Sequence, residues 1–97
     1  MLVALLRLDL RIPGSGSLKE KRHVVKTLIA GLRSKFNVSV AETGYQDLWQ
    51  RSELAVAIAA GESYHARKVA REIERFTDTF PAVEVLTSDL TLHQPDD

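Results

Sequence analysis

From Leu2 to Ile12 the chain reads LVALLRLDLRI, with Leu6, Leu8, Leu10 and Ile12 on one side and Arg7, Asp9 and Arg11 on the other. Alternation with a period of two marks a strand with one buried face, and it predicts a first strand here. Pro13-Gly14-Ser15-Gly16 breaks that strand. Ser17-Leu18-Lys19-Glu20 then makes a capping box, in which the serine hydroxyl accepts from the Glu20 amide while the Glu20 carboxylate reaches back. A helix therefore starts at Leu18. Leu18, Val25, Leu28, Ile29, Leu32 and Phe36 share one stripe at about 100° per residue, and the helix ends near Lys35 with Asn37 as its stop. Val38 to Glu42 alternates as a second strand, and Leu54, Val56 and Ile58 alternate with Ala55, Ala57 and Ala59 as a third. Gly61 ends that strand, and Gly61 or Ser63 caps a second helix with Ala66, Val69, Ala70, Ile73 and Phe76 on its buried side. The helix stops between Thr77 and Pro81. Val83, Val85 and Thr87 supply a fourth strand, and the polar tail His93 to Asp97 is expected to fray.

Strand, helix, strand, strand, helix, strand is the order of a ferredoxin-like α+β sandwich. Right-handed crossovers fold it into a four-stranded antiparallel sheet with both helices on one face. Residues 1–92 are expected to form this single domain. The other sheet face would carry Val3, Leu5, Arg7, Ser39, Ala41, Ala55, Ala57, Ala59 and Leu86, an apolar set for a surface. Either a second copy of the chain covers it, making a homodimer, or scattered small apolar residues are simply tolerated there.

Composition narrows the chemistry. Ninety-seven residues, 44% of them apolar, suffice for one core. With no cysteine, disulfides, thiolate metal sites and cysteine nucleophiles are excluded. Neither MLVALL nor Leu54–Ala60 approaches the ~20 residues that cross a bilayer, so no membrane partner and a cytoplasmic location are expected. The net charge of zero is uneven along the chain: residues 1–40 carry eight basic and two acidic residues, the remainder five basic and eleven acidic. Such a split can steer a polyanion to one surface.

Ile12-Pro13-Gly14, the stretch SLKEKRHVVKTLIAGLRSKFNVSVAE from Ser17 to Glu42, and QDLWQR from Gln46 to Arg51 together resemble the YlxP-like family of small bacterial proteins. The resemblance spans nearly the whole chain. It implies a ferredoxin-like fold without an assigned activity, and a gene that often neighbours translation and ribosome-maturation genes, an associational pointer to RNA or ribosomes. Ala55 departs from the glycine that relatives often carry in the third strand, and Gly44-Tyr45 fills a variable position.

The first helix is the main candidate for function. Lys19, Arg22, Lys26 and Arg33 form one ridge beside its apolar stripe, flanked on the other side by Lys21 and Lys35, with Glu20 the only acid. Four cations along about four turns suit a track of backbone phosphates on structured RNA or a ribosomal particle. A solvated helix face is the plainer account of such residues. The turn Gly14-Ser15-Gly16-Ser17 offers amides and the positive end of a helix dipole to an anion, yet it matches no nucleotide-binding motif, and a capped turn needs these residues anyway. A Pro13-Gly14 turn opening a helix also resembles the ligand loop of amino-acid-binding regulatory domains on this fold, which keeps a small-ligand sensor as an alternative.

Enzyme readings lack support. His23, His65 and His93 have no metal-ligand spacing, Glu42, Asp47 and Glu53 read as surface or ion-pair groups, and no cofactor is implied. Acylphosphatases on this fold use an arginine and an asparagine, but the surroundings of Arg22 and Asn37 do not match theirs. Base stacking on the sheet needs aromatic residues, where this sheet has Val3, Leu5 and alanines. The remaining question is QDLWQR, where the only tryptophan sits among polar neighbours. Trp49 could anchor the hairpin loop by folding back over the sheet, presenting Gln46, Asp47, Gln50 and Arg51, or could be a partner hot spot together with Arg51. The anchor reading is preferred, because a lone tryptophan in a small domain is more often buried.

Overall fold

Leu2, Ala4, Leu6, Leu8 and Leu10 are all buried, and the intervening residues face outward, so β1 (Leu2–Arg11) is the half-buried strand that its alternation predicts. A computed structural model describes residues 1–95. The other elements are α1 (Leu18–Lys35), β2 (Ser39–Gly44), β3 (Arg51–Ala60), α2 (Ser63–Asp78) and β4 (Glu84–His93). The sheet order is β2-β3-β1-β4, antiparallel throughout, with β1 and β3 in the centre. This is the ferredoxin-like plan.

The core lies between the sheet and the two helices. Leu6, Leu8, Leu54, Val56 and Ile58 from the central strands meet Val25, Leu28 and Leu32 of α1 and Ala66, Ala70 and Ile73 of α2. The helices touch through Phe36 and Phe76, packed edge to face with ring centroids 6.1 Å apart. Gly31 permits this approach, since a Cβ there would sit 3.0 Å from the Phe76 ring. α1 begins and ends at the predicted residues, with Ser17 as its N-cap accepting from the Glu20 amide at 3.1 Å. α2 differs from expectation: its N-cap is Glu62, without a side-chain capping bond, in place of Gly61 or Ser63.

Strand β4 runs well past Thr87. His93, assigned to a frayed tail by its polarity, pairs with Val3, while Asp96 and Asp97 lie outside the described residues. A bulge explains the short prediction. Asp9 pairs with Thr87 but Leu10 with Val85, so Leu86 is the extra residue and the inward positions change from odd to even numbers across it. Val85 is followed on the core side by Ser88, Leu90 and Leu92, and the alternation is lost to inspection. A second bulge at Thr43 lies between the Glu42–Leu54 and Gly44–Glu53 pairs.

On the outer sheet face Val3 and Leu5 are exposed, with Ala55, Ala57 and Ala59 beside them on β3. Towards the other end the same face is charged. Arg7 pairs with Asp89 at 2.9 Å, and Arg51 donates to both oxygens of Asp9 at 2.8 and 3.0 Å.

Candidate nucleic-acid interface

Lys19, Arg22, Lys26 and Arg33 are all exposed on α1. Among the described residues none of them has a carboxylate within ion-pair distance. The one acid of the helix is occupied: Glu20 Oε2 accepts from the Gly16 amide at 2.7 Å. Among the described residues, Lys19, Arg22 and Lys26 have no side-chain hydrogen-bond partner either. Arg33 has one, donating from Nη2 to the Val40 carbonyl at 2.8 Å. That carbonyl belongs to β2, an edge strand, so the bond covers a group that could otherwise pair with another chain. Between α1 and β2 lies a cleft of about 450 Å³ lined by Lys26, Ile29, Arg33, Val40 and Glu42. Lys35 is apart from the ridge, with its ammonium 5.5 Å from the Phe76 ring centroid.

Lys21 is not a flanking surface cation. Its side chain is fully buried, and Nζ donates to Glu42 Oε2 at 2.7 Å, to the Tyr45 carbonyl at 3.1 Å and to the Gln46 carbonyl at 3.3 Å. All three ammonium protons thus have acceptors. Glu42 Oε2 also accepts from the Ser52 hydroxyl at 2.7 Å. The helical wheel contains the signal: at 100° per residue Lys21 falls within about 40° of Val25, Leu28 and Leu32, inside the apolar stripe. Glu42 alternates with Val40 onto the same inner face of the sheet. An inward lysine and an inward glutamate on facing elements are complementary, and neither is a surface group.

This buried pair fixes the connection between β2 and β3. Besides the two bonds from Lys21, Gln46 Nε2 donates to the Glu42 carbonyl at 3.1 Å and the Leu48 amide to the Tyr45 carbonyl at 3.1 Å. Tyr45 adopts a positive φ of 58°, a left-handed turn residue. The far end is tied to the start of α1: the Ile12 amide donates to the Gln50 carbonyl at 2.9 Å, and Gln50 Nε2 donates to the Ser15 carbonyl at 3.1 Å. The Arg51 guanidinium lies 4.3 Å from the Tyr45 ring centroid while bonded to Asp9. Asp9 raises the Arg51 pKa above its ordinary value, through the hydrogen bond first and in opposition to desolvation.

Trp49 is not the anchor of this loop. It is 54% exposed, and Leu48 and Tyr45 are exposed beside it. Backbone carbonyls, Lys21, Gln46 and Gln50 hold the loop, and these polar bonds make an aromatic anchor unnecessary. Asp47 is exposed at the same tip.

The turn before α1 has part of its donor capacity in use. The Gly16 amide is taken by Glu20, the Ser15 amide donates to the Ile12 carbonyl at 3.2 Å, and the Ser17 hydroxyl serves as the cap. Ser15 is buried, with its hydroxyl donating to the Ser17 carbonyl at 3.0 Å. Neither Gly14 nor Gly16 uses a positive φ. Beside the turn is an open cleft of about 500 Å³, walled by Ile12, Val24 and Ala82 and edged by Lys19, Glu20 and His23. No helix among the described residues is long and apolar enough to cross a membrane.

Over 70 residues the chain is 41% identical to a protein named Uncharacterized protein YlxP from Bacillus subtilis (strain 168), covering 72% of this chain and 76% of that one. Its fold is similar to the solution NMR structure of a de novo designed protein with ferredoxin fold, at a TM-score of 0.54 and 16% identity, covering 100% of this chain and 88% of the design. The de novo designed protein Foldit4 is similar at a TM-score of 0.48 and 11% identity, over 97% of this chain and 99% of that one. Residues 3–90 match the family model described as protein of unknown function (DUF503). With that match spanning nearly all of the sheet and both helices, and with a YlxP relative at this identity, the chain belongs to the DUF503 family.

Proposed function

We propose that this protein is a non-enzymatic binding module that docks on structured RNA or a ribosomal particle through Lys19, Arg22, Lys26 and Arg33. The observation that carries the reading is the ridge itself: exposed cations on one helix, with no carboxylate partner among the described residues and the only helix acid held at its cap. Four neighbouring cations left in water repel one another mildly, and a row of phosphates relieves that repulsion while releasing counterions. Recognition would be of backbone shape, because an α-helix ridge with lysine and arginine reads phosphates without reading sequence. The cleft between α1 and β2 gives the track a floor.

The test is cosedimentation with ribosomal particles and with bulk structured RNA, comparing wild type with Lys19→Glu/Arg22→Glu/Lys26→Glu. Arg33 is left in place because its bond to Val40 is structural. Loss of the variant from the pellet at equal stability supports the reading, and equal pelleting of both proteins defeats it.

A second reading rests on the outer sheet face, where Val3 and Leu5 are 40% and 41% exposed beside the β3 alanines. A second copy docked there would make the protein a dimeric scaffold, which light scattering at micromolar concentration resolves. A small-ligand sensor would use the cleft beside Pro13-Gly14, and a thermal shift by a free amino acid would favour it.

A further inference from the structure

The loop carrying Trp49 is organised out of proportion to what it covers. A lysine is buried to hold two of its carbonyls, a glutamine on each side of the tip bonds backbone, and its tyrosine is stacked under Arg51. Burying a charged pair is costly, and apolar residues of similar volume at both positions 21 and 42 would fill the same space at no greater cost. What the arrangement achieves is a fixed geometry, and what the fixed geometry displays is Leu48 and Trp49, 49% and 54% exposed. An indole carried on a loop backbone held in this way costs little loop entropy on capturing a planar partner.

Resting on the RNA reading above, we infer that Trp49 is a stacking platform for an unpaired base, next to the phosphate track of α1. Position supports a nucleotide as the occupant. Gln50, adjacent to Trp49, is bonded to Ser15 in the turn that opens α1, and Lys21, whose ammonium holds Gln46, is flanked by Lys19 at two residues and Arg22 at one. Cations for phosphate and an aromatic face for a base are thereby mounted on one end of the molecule. Asp47, exposed at the tip, disfavours a phosphate there and can accept from a base amino group. The order that results is base at the loop, phosphates along the helix. The outer sheet face, where RNA-binding sheets of this plan carry their aromatics, has Ala57, Ala59, Thr91 and His93 paired with Val3 and Leu5, without a Phe, Tyr or Trp among them.

The experiment compares two labelled RNAs, a hairpin whose loop is unpaired adenosines and the blunt duplex of the same stem, by fluorescence anisotropy against wild type, Trp49→Ala and Trp49→Tyr. Stacking on one base predicts that wild type prefers the hairpin by about 5- to 150-fold. Trp49→Ala removes that preference and leaves duplex affinity unchanged, and Trp49→Tyr keeps most of it. Because the side chain is exposed, unchanged circular dichroism and melting confirm that Trp49→Ala is folded. If wild type binds both RNAs equally, or Trp49→Ala keeps the preference, the stacking inference is overturned while docking through α1 stands. If wild type binds neither RNA, both fall. Concentration-dependent dimerisation that buries Trp49 and blocks the hairpin also overturns it, in favour of a protein partner.

Discussion

Replacing Lys21 by methionine preserves most of its apolar stem and removes the ammonium. In the wild type that ammonium makes three bonds, at 2.7, 3.1 and 3.3 Å, from a fully buried position. Its loss leaves the Glu42 carboxylate without a cation and two carbonyls without a donor. Breaking one partner of a buried pair costs about 3–5 kcal/mol. Glu42 keeps its bond from Ser52 and is 18% exposed, so water can relieve part of the deficit and the lower end, about 3 kcal/mol, applies. In a domain of this size that lowers Tm by about 12–24 °C. Urea and thermal denaturation followed by circular dichroism measure it. Lys21→Met/Glu42→Leu removes both charges and should recover about 1 kcal/mol or more relative to the single variant. Tyr45 and Gln46 remain untied in both, so the fluorescence anisotropy of Trp49 should fall in both. A Lys21→Met protein within about 0.5 kcal/mol of wild type would refute the buried pair, since a surface lysine is worth no more than that.

Exposure of Trp49 predicts a red-shifted emission that acrylamide quenches readily, and a Trp49→Ala stability within about 0.5 kcal/mol of wild type; a blue, quencher-resistant signal would restore the anchor reading. Gly31→Val places side-chain carbons against the Phe76 ring, where even a Cβ lies at 3.0 Å, and should cost about 1–3 kcal/mol by overpacking despite the removal of a helical glycine; a stabilised variant would show that α1 and α2 are not in close contact. Leu54→Ala, in the fully buried centre of β3, should cost about 2–5 kcal/mol in the same denaturation assay, and a smaller loss would show a core able to collapse around the gap.

Much of this architecture is written in local pattern. The alternation of β1, the stripe of α1 and the Ser17 cap are short-range signals: β1 is half-buried as expected and ends one residue early at Arg11, Ser17 caps α1, and the stripe holds apart from the buried Lys21. The part that was not legible depends on long-range partnership or on a one-residue irregularity. Lys21 finds Glu42 across 21 residues of chain, and a rule that places lysines in water has no knowledge of that partner. The bulge at Leu86 exchanges the faces of β4 and so conceals its second half. Trp49 departs from expectation for a related reason: a tryptophan is the expected anchor of a loop only if nothing else holds the loop, and here polar bonds from Lys21, Gln46 and Gln50 do. The four cations of the ridge are exposed, as their helical positions imply, and the bond from Arg33 to Val40 gives one of them structural work that local pattern does not show.

The salt dependence of RNA binding tests the central claim most directly. Measured as log K against log salt concentration on one hairpin RNA, wild type should give a slope steeper than that of Lys19→Glu/Arg22→Glu/Lys26→Glu by about 2–3, reflecting three lost phosphate contacts. Equal slopes and equal affinities for the two proteins would contradict docking through α1.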